Sequence, residues 1–97
     1  MTVPIPLSET AWYVYLVRCQ DGTLYCGIAK DPSRRLAEHN SADKGAKYTR
    51  GRQPVQLVYT EEVASRAKAV KREIRIKRLS RRKKMVLIQG GNTHRQP

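Results

Sequence analysis

One stretch of the chain concentrates side chains that bind phosphate groups. Residues 66–84 contain eleven lysines and arginines and a single acid, so this stretch holds +10 of the chain's net charge of +12. A helix that only faces water usually mixes both signs and gains from ion pairs one turn apart. The cations of this stretch instead repel one another. A phosphate backbone bound beside them would relieve that repulsion and release counterions. It therefore predicts nucleic-acid binding, for which the candidate arginines are Arg72, Arg75, Arg81 and Arg82.

The single acid of that stretch, Glu73, is of a type that binds metal ions. Apolar residues recur nearby at helical spacing and predict one buried stripe, at whose border Glu73 falls. A carboxylate there is partly buried and surrounded by cations. It could pair with Lys77 one turn later, which position alone favours, or act as a metal ligand or charge organiser facing a cleft. The stripe consists of Val63, Ala67, Val70 and Ile74.

Composition limits the classes of protein to which the chain can belong. Its 97 residues form one domain, expected at 11–90 between flexible tails at 1–10 and 91–97. No segment is apolar enough to cross a bilayer, and the first residues lack the features of a secretory signal. A pI near 10.3 disfavours most small-metabolite enzymes and favours a polyanionic partner. Cys19 and Cys26 are expected as free thiols in a reducing cytoplasm, without a zinc site.

Two strands joined by a tight turn are expected to carry several tyrosines. A two-residue turn would place Tyr15 and Tyr25 on opposite faces of the hairpin. A three-residue loop with Gly22 in the left-handed conformation pairs Val17 with Tyr25 and places both tyrosines on one face. We expect this second register, because it makes the other face wholly apolar. The predicted strands are Trp12 to Arg18 and Thr23 to Ala29, joined at Gln20-Asp21-Gly22.

Cap residues and apolar spacing predict the remaining elements. Asp31 is expected as an N-cap with Pro32 in the first turn, and Ser80 as the cap of the last helix, which Gly90-Gly91 ends. The order is β-β-α-β-α-α, in the α/β (α+β) class. The predicted ranges are a helix from Pro32 to about Asn40, a basic loop from Ser41 to Gln53, a strand from Pro54 to Thr60, a basic helix from Glu61 to about Leu79 whose two leading acids suit its N-terminus, and a helix from Ser80 to about Gln89.

Three short motifs follow one another in the first half of the chain. They are Tyr13-Val-Tyr15, Tyr25-Cys-Gly27 and Arg34-Arg35-Leu-Ala-Glu-His39. Ten residues separate Tyr15 from Tyr25 and again Tyr25 from Arg35, and Glu73 follows on a late helix. With this order the chain, from about Trp12 to Gln89, resembles the GIY-YIG nuclease superfamily and its small stand-alone YhbQ-like members. His39-Asn40 followed by Gly45-Ala-Lys-Tyr-Thr49 is similar to the structure-specific resolvase branch.

The resemblance implies a three-stranded antiparallel sheet flanked by helices, and cleavage of phosphodiester bonds with one divalent cation, Mg²⁺ or Mn²⁺. By position, Tyr15 and Tyr25 match the paired tyrosines, either of which could be the base. Arg35 matches the arginine that meets the scissile phosphate. Glu73 matches the metal ligand, and His39 matches an auxiliary residue one turn after the arginine.

This chemistry suits these residue types. Arginine offers fixed donors that stay charged beside a phosphate, and a bound cation can act as a Lewis acid on the leaving side. Tyrosine, with a pKa of ~10, needs the metal or nearby cations to lower that pKa before it can act as a base. Gly27 is expected to leave room for the substrate.

Each of these residues also has an ordinary structural interpretation. Tyrosines on strands usually pack, Arg34 and Arg35 could be surface cations, and His39 suits a helix C-terminus. The segment with Lys47, Tyr48 and Arg50 could be a plain basic loop or could clamp a nucleic-acid backbone, with Tyr48 stacking on a base. Arg34 would join these residues in nucleic-acid binding.

Departures from the family pattern leave two main hypotheses. Tyr13 replaces a typical glycine, Cys26 replaces a typical isoleucine, and the region around Met85 lacks the late asparagine of many members. A targeting domain is also missing, so a protein partner could direct the chain. The first hypothesis is an endonuclease acting on DNA in repair or processing of unusual structures. The alternative is a non-catalytic DNA- or RNA-binding module, and a weaker third is a ribosome- or RNA-associated basic protein.

Overall fold

Three antiparallel strands form the sheet, in the spatial order β2-β1-β3. The computed structural model describes residues 11–41 and 47–94, leaving aside the side chains of residues 47, 48 and 91–94. The order β-β-α-β-α-α and the α+β class are confirmed, with one additional short helix, α2. The elements are β1 Trp12–Arg18, β2 Leu24–Ala29, α1 Pro32–His39, α2 Lys47–Arg50, β3 Gln56–Val63, α3 Arg66–Lys77 and α4 Arg81–His94. The predicted tail at 1–10 lies outside the described residues.

The β1–β2 hairpin has the register of the three-residue loop. Val17 lies opposite Tyr25, as predicted, and Tyr15 lies opposite Gly27. Gly22 has a φ of +86°, the left-handed conformation that a residue without a Cβ adopts at low cost. This register decides which side chains share a face of the sheet, and it places Tyr15 and Tyr25 together.

Both faces of the sheet are covered, so β1 is buried on two sides. α3 and α4 cover the face on which Val14, Leu16 and Cys26 lie, and Ala69 and Ile76 of α3 are buried in that core. The opposite core, on the side of α1, contains Tyr15, Val17, Cys19, Ala29 and Val55, with Tyr25, Leu36 and Leu57 packed against it. Cys19 and Cys26 are both buried and unbridged.

The boundary between β3 and α3 differs from the prediction. Glu61 and Glu62 belong to β3, and α3 begins only at Arg66, where Ser65 Oγ accepts a hydrogen bond from the backbone N–H of Lys68. A strand tolerates Glu61 because its carboxylate accepts hydrogen bonds from Tyr59 Oη at 2.6 Å and from Arg72 Nε at 2.8 Å. These partners outweigh the general preference of acids for helix N-termini.

The late start of α3 also changes which of its residues face the sheet. The predicted stripe is wrong: Val63 lies in β3, and Ile74 is 44% exposed. Ala69 and Ile76 are fully buried, and the positions at helical spacing between them are Arg72 and Glu73. Glu73 therefore lies on the inward face of α3 and not at its border.

The last helix continues past its predicted end. Ser80 caps it as expected, with its Oγ accepting from Lys83 N at 3.2 Å, but α4 runs through Gly90 and Gly91 to His94. Glycine lowers helix stability by roughly 1 kcal/mol, and it ends a helix mainly by adopting positive φ. Among the described glycines only Gly22 does so. None of the helices in the described ranges combines the length and apolar character that a membrane crossing requires.

The first residue of β1 lies between two cations. Lys30 Nζ and Arg66 Cζ are each 5.8 Å from the centroid of the Trp12 ring. Lys30 follows β2 and Arg66 begins α3, so this indole joins three elements at one end of the sheet by cation–π attraction.

Candidate active site

Tyr15 is the centre of a cluster of functional side chains between the sheet and α1. Its side chain lies on the α1 face of β1 and is 2% exposed. A Cβ added to the facing Gly27 would lie 2.5 Å from Tyr15 Oη and 2.7 Å from its Cζ. Gly27 therefore leaves room for the tyrosine ring, which differs from the expectation that it leaves room for a substrate.

The Tyr15 hydroxyl is held by His39 from α1. The distance from Tyr15 Oη to His39 Nε2 is 2.8 Å, and His39 Nδ1 lies 2.8 Å from Thr49 Oγ1 of α2. His39 and Thr49 are both fully buried. The three groups form a continuous polar line across β1, α1 and α2 within an otherwise apolar core.

Burial keeps the two titratable members of this line neutral. It raises the pKa of Tyr15 to about 12, with the nearby Tyr25 adding to the effect and a hydrogen bond from Arg35 opposing it. Burial lowers the pKa of His39, the positive charge of Arg35 lowers it further, and Glu38 acts in the opposite direction. At pH 7 the pair is thus a phenol beside a neutral imidazole.

Tyr25 lies at the outer side of the same cluster. Its ring makes an edge-to-face contact with His39, with ring centroids 5.4 Å apart, and its side chain is partly exposed. Tyr15 makes a similar contact with His39 at 5.9 Å but is enclosed. The two predicted tyrosines therefore share one imidazole, and Tyr25 is the one that reaches the surface.

Arg35 connects this cluster to a shallow cavity. Its Nη1 donates to Glu38 Oε1 at 2.8 Å, and its guanidinium lies near enough to the Tyr15 hydroxyl to lower the pKa of that tyrosine. Arg34 Nε lies 3.6 Å from the other oxygen of Glu38, and the Arg34 side chain is 78% exposed. The cavity, of about 200 Å³, is lined by Ala29, Lys30, Asp31, Arg34, Arg35 and Glu38. Three cations against two acids give it a positive balance suited to a phosphate group.

Glu73 occupies a different environment. Its Oε2 lies 3.3 Å from Lys77 Nζ, which is the ion pair considered from the sequence, and its side chain is 18% exposed. The charge of Glu73 is also one of the factors that raise the pKa of Cys26, so the carboxylate is close to that thiol. Cys26 faces the core under α3, whereas Tyr25 and Gly27 face α1. The structure thus brings Tyr15, Tyr25, Arg35 and His39 together on the α1 side of the sheet, whereas Glu73 lies on α3, near Cys26 on the other side.

The side chains near Glu73 decide whether the expected divalent cation could bind there. Among the described residues, no group of three or more histidine, cysteine or acidic side chains is placed to hold an ion. Mg²⁺ commonly takes only one or two carboxylates from a protein and completes its shell with water and substrate phosphates. A single carboxylate with an exposed lysine partner is compatible with that mode of binding, in which Glu73 would be the ligand from the protein.

The residues expected to bind nucleic acid fall into two groups. Arg34, Arg50, Arg75 and Arg82 are exposed. Two others have structural partners: Arg72 pairs with Glu61 at 2.8 Å, and Arg81 Nη1 donates to the carbonyl of Gly22 at 2.8 Å. The side chains of Lys47 and Tyr48 lie outside the described residues.

Two residues of the cluster were not selected from the sequence. Thr49 lies at the end of the Gly-Ala-Lys-Tyr-Thr motif, so a signal was present, but its partner His39 is ten residues away. Glu38 is placed three and four residues after Arg35 and Arg34, which is ion-pair spacing on a helix.

The chain after α1 is fixed by Asn40, whose side chain accepts from Val55 N at 2.7 Å and donates to Val55 O at 3.1 Å.

The chain is similar to several known proteins in sequence and in fold. A UPF0213 protein of Desulfotalea psychrophila is 54% identical over 83 residues, which are 86% of this chain and 76% of that protein. The solution NMR structure of a UPF0213 protein from Bacillus halodurans is similar at 46% identity and a TM-score of 0.52, covering 81% of this chain and 83% of that one. A solution NMR structure of an Enterococcus faecalis protein is similar at 38% identity and a TM-score of 0.57, covering 87% and 88%.

The model of the GIY-YIG catalytic domain matches residues 11–86. That range includes both tyrosine motifs, α1 with Arg35 and His39, and α3 with Glu73. The chain therefore belongs to the GIY-YIG family, a nuclease superfamily, as the order of its motifs indicated.

Proposed function

We propose that this protein is a metal-dependent endonuclease that hydrolyses phosphodiester bonds in DNA, in repair or in the processing of structured DNA. Membership of a nuclease superfamily supports phosphodiester hydrolysis in general. The observation that carries the proposal is the cluster of Tyr15, His39 and Arg35, with Tyr25 at its surface. The tyrosine and histidine side chains of the cluster are of types that can exchange protons. Arg35 adds a positive charge beside a cavity large enough for a phosphate group.

Each residue of the cluster has a distinct role in this proposal. Arg35, held by Glu38 beside the Tyr15 hydroxyl, presents its charge to the scissile phosphate and stabilises the charge that develops there. Tyr25 is partly exposed, so its hydroxyl can reach the attacking water. Tyr15 is enclosed and acts by positioning Arg35 and His39.

Glu73 is proposed to hold the divalent cation, Mg²⁺ or Mn²⁺. When bound, such a cation supplies Lewis-acid stabilisation of the phosphate and of the leaving oxygen. The part played by the chain itself is to release Glu73 from Lys77, whose side chain is 52% exposed and can move into solvent.

A non-catalytic DNA- or RNA-binding module is the second candidate. The observation that favours it is the ion pair between Glu73 and Lys77, which occupies the one carboxylate expected to bind the metal. The exposed cations of α3 and α4 would bind a phosphate backbone whether or not the protein cleaves it.

Cleavage of labelled nucleic acids separates the two candidates. Branched, single-stranded and duplex DNA and a structured RNA would be incubated with Mg²⁺, Mn²⁺ or EDTA. We expect metal-dependent cutting of branched DNA by the wild type and its loss in Arg35→Ala and Glu73→Ala, with a retained fold. Arg18→Ala, which removes an exposed arginine at the end of β1, is the matched control and should cut normally. Binding without cutting under every condition would favour the module, and preferential cutting of RNA would overturn the choice of DNA.

A further inference from the structure

Thr49 makes a contact for which packing alone gives no reason. It is a fully buried residue of α2, and its hydroxyl lies 2.8 Å from Nδ1 of His39, the ring nitrogen that faces away from Tyr15. A neutral imidazole carries one N–H, so one of its nitrogens donates and the other accepts. The partners of the ring therefore decide which nitrogen holds the hydrogen.

The surroundings of Tyr15 decide which groups donate and which accept in the hydrogen bonds that run from Tyr15 through His39 to Thr49. Arg35 lies near enough to lower the pKa of Tyr15, but a guanidinium only donates, so it offers no acceptor for the hydrogen of the Tyr15 hydroxyl. The Tyr15 hydroxyl then has its own hydrogen to place, and His39 Nε2 is the acceptor 2.8 Å away. Directing this hydrogen elsewhere in a buried site would leave it unpaired, which is energetically unfavourable. Nε2 consequently accepts, and the ring hydrogen is on Nδ1.

We infer that Thr49 is a positioning residue that accepts the Nδ1–H of His39 and thereby fixes the imidazole in the tautomer whose Nε2 faces the Tyr15 hydroxyl. Thr49 acts through His39 and touches no substrate. Its contribution to turnover rests on the proposed function, since only a catalytic cluster would use the orientation of Tyr15 and Arg35. The tautomer of His39, in contrast, depends only on its contacts with Tyr15 and Thr49, whatever the protein does.

The backbone around Thr49 supports a fixed hydroxyl. Arg52 N donates to Thr49 O at 3.0 Å, and Gln53 Nε2 donates to the carbonyls of His39 and Ser41 at 2.5 and 2.6 Å. Together with the two bonds between Asn40 and Val55, these contacts tie the segment after α2 to the end of α1. Thr49 and His39 are thus held at a set separation from both sides.

The first test is direct observation of the tautomer. Long-range ¹H–¹⁵N correlation spectra of ¹⁵N-labelled protein distinguish Nδ1–H from Nε2–H imidazoles, and a His94→Asn background leaves His39 as the one histidine of the chain. We expect the Nδ1–H pattern at pH 7.5, retained in Thr49→Ser and lost or mixed in Thr49→Val. An Nε2–H pattern in the protein with Thr49 intact would overturn the inference, and so would an unchanged Nδ1–H pattern in Thr49→Val. The first of these outcomes needs no Thr49 variant, so it stands even if Thr49→Val does not fold.

The second test is kinetic. We expect Thr49→Val to lower kcat by roughly 10- to 100-fold with KM unchanged, and Thr49→Ser to restore most of the loss. Equal kcat in Thr49→Val and wild type, with the tautomer altered, would contradict a role in turnover. If the wild type cleaves nothing, the proposed function fails while the spectra still decide the tautomer.

Discussion

A tyrosine hydroxyl normally reaches water at the end of its ring, but that of Tyr15 is enclosed by Gly27, His39 and Arg35. The predicted register already paired Tyr15 with Gly27. It did not reveal that the ring turns over the glycine, because a side-chain rotamer depends on the packing of α1 against the sheet. The contact between Thr49 and His39 escaped prediction for a similar reason, since it depends on how the chain returns from α1 to β3.

Gly27→Ala should destabilise the protein through contact with the Tyr15 ring. The added Cβ would lie 2.5 Å from a hydroxyl that cannot swing into solvent. We expect the free energy of unfolding in urea to fall by about 1–3 kcal/mol. Gly51→Ala is the control, because no atom lies within 4 Å of its new methyl group. Equal losses in the two variants would contradict the steric explanation.

The buried imidazole should make stability depend on pH. The pKa of His39 is lowered below its usual 6.5 by burial and by Arg35, so the unfolded chain binds this proton more readily than the folded one. The free energy of unfolding should therefore fall as the pH drops below 6.5. Measured by urea denaturation between pH 7.5 and 5, the fall should be smaller in His39→Gln, and parallel curves for the two proteins would refute the assignment.

Among the secondary-structure elements, α3 is the one that holds Glu73 apart from the other motif residues. The sequence had grouped Glu73 with Tyr15, Tyr25, Arg35 and His39. The strands, the order of the elements and the helix caps followed from the sequence, because turn residues and capping hydroxyls act locally. The start of α3 did not, because the acids at 61 and 62 suit a helix N-terminus until the partners of Glu61 on β3 and α3 are known. The inward position of Glu73 follows from this later start.

Lys77→Met should strengthen metal binding at Glu73. The lysine competes for the carboxylate at 3.3 Å, and its removal leaves Glu73 free to bind a cation. We expect the affinity for Mn²⁺, measured by electron paramagnetic resonance, to rise severalfold. Lys71→Met is the charge-matched control, because Lys71 is exposed on the same helix. A similar rise in both variants would mean that overall charge, and not the release of Glu73, controls the affinity.

For the molecule as a whole, the surplus of cations on α3 and α4 gives the electrostatic footprint of a protein that binds polyanions. This property was visible in the sequence, since net charge needs no fold to be counted. Which cations are available was not visible, because Arg72 is committed to Glu61 while Arg75 on the same helix is exposed.

Arg75→Ala and Arg72→Ala should therefore differ. The first should weaken duplex binding and reduce the slope of log K against log salt concentration by about 0.9 if it removes one phosphate contact. The second should lower Tm, since Glu61 loses its cationic partner and keeps only Tyr59, and it should leave that slope nearly unchanged. Binding isotherms between roughly 50 and 200 mM salt would measure both slopes, and identical slopes would argue against this division.

Trp12 is a fluorophore that lies outside the group of residues proposed to react. It is the only tryptophan of the chain, and Lys30 and Arg66 flank its ring at 5.8 Å. Lys30 also lines the cavity beside Arg35. A polyanion that draws Lys30 away from the indole changes the charge beside the fluorophore, and with it the emission. We therefore expect the fluorescence of Trp12 to report occupation of that cavity without an added label.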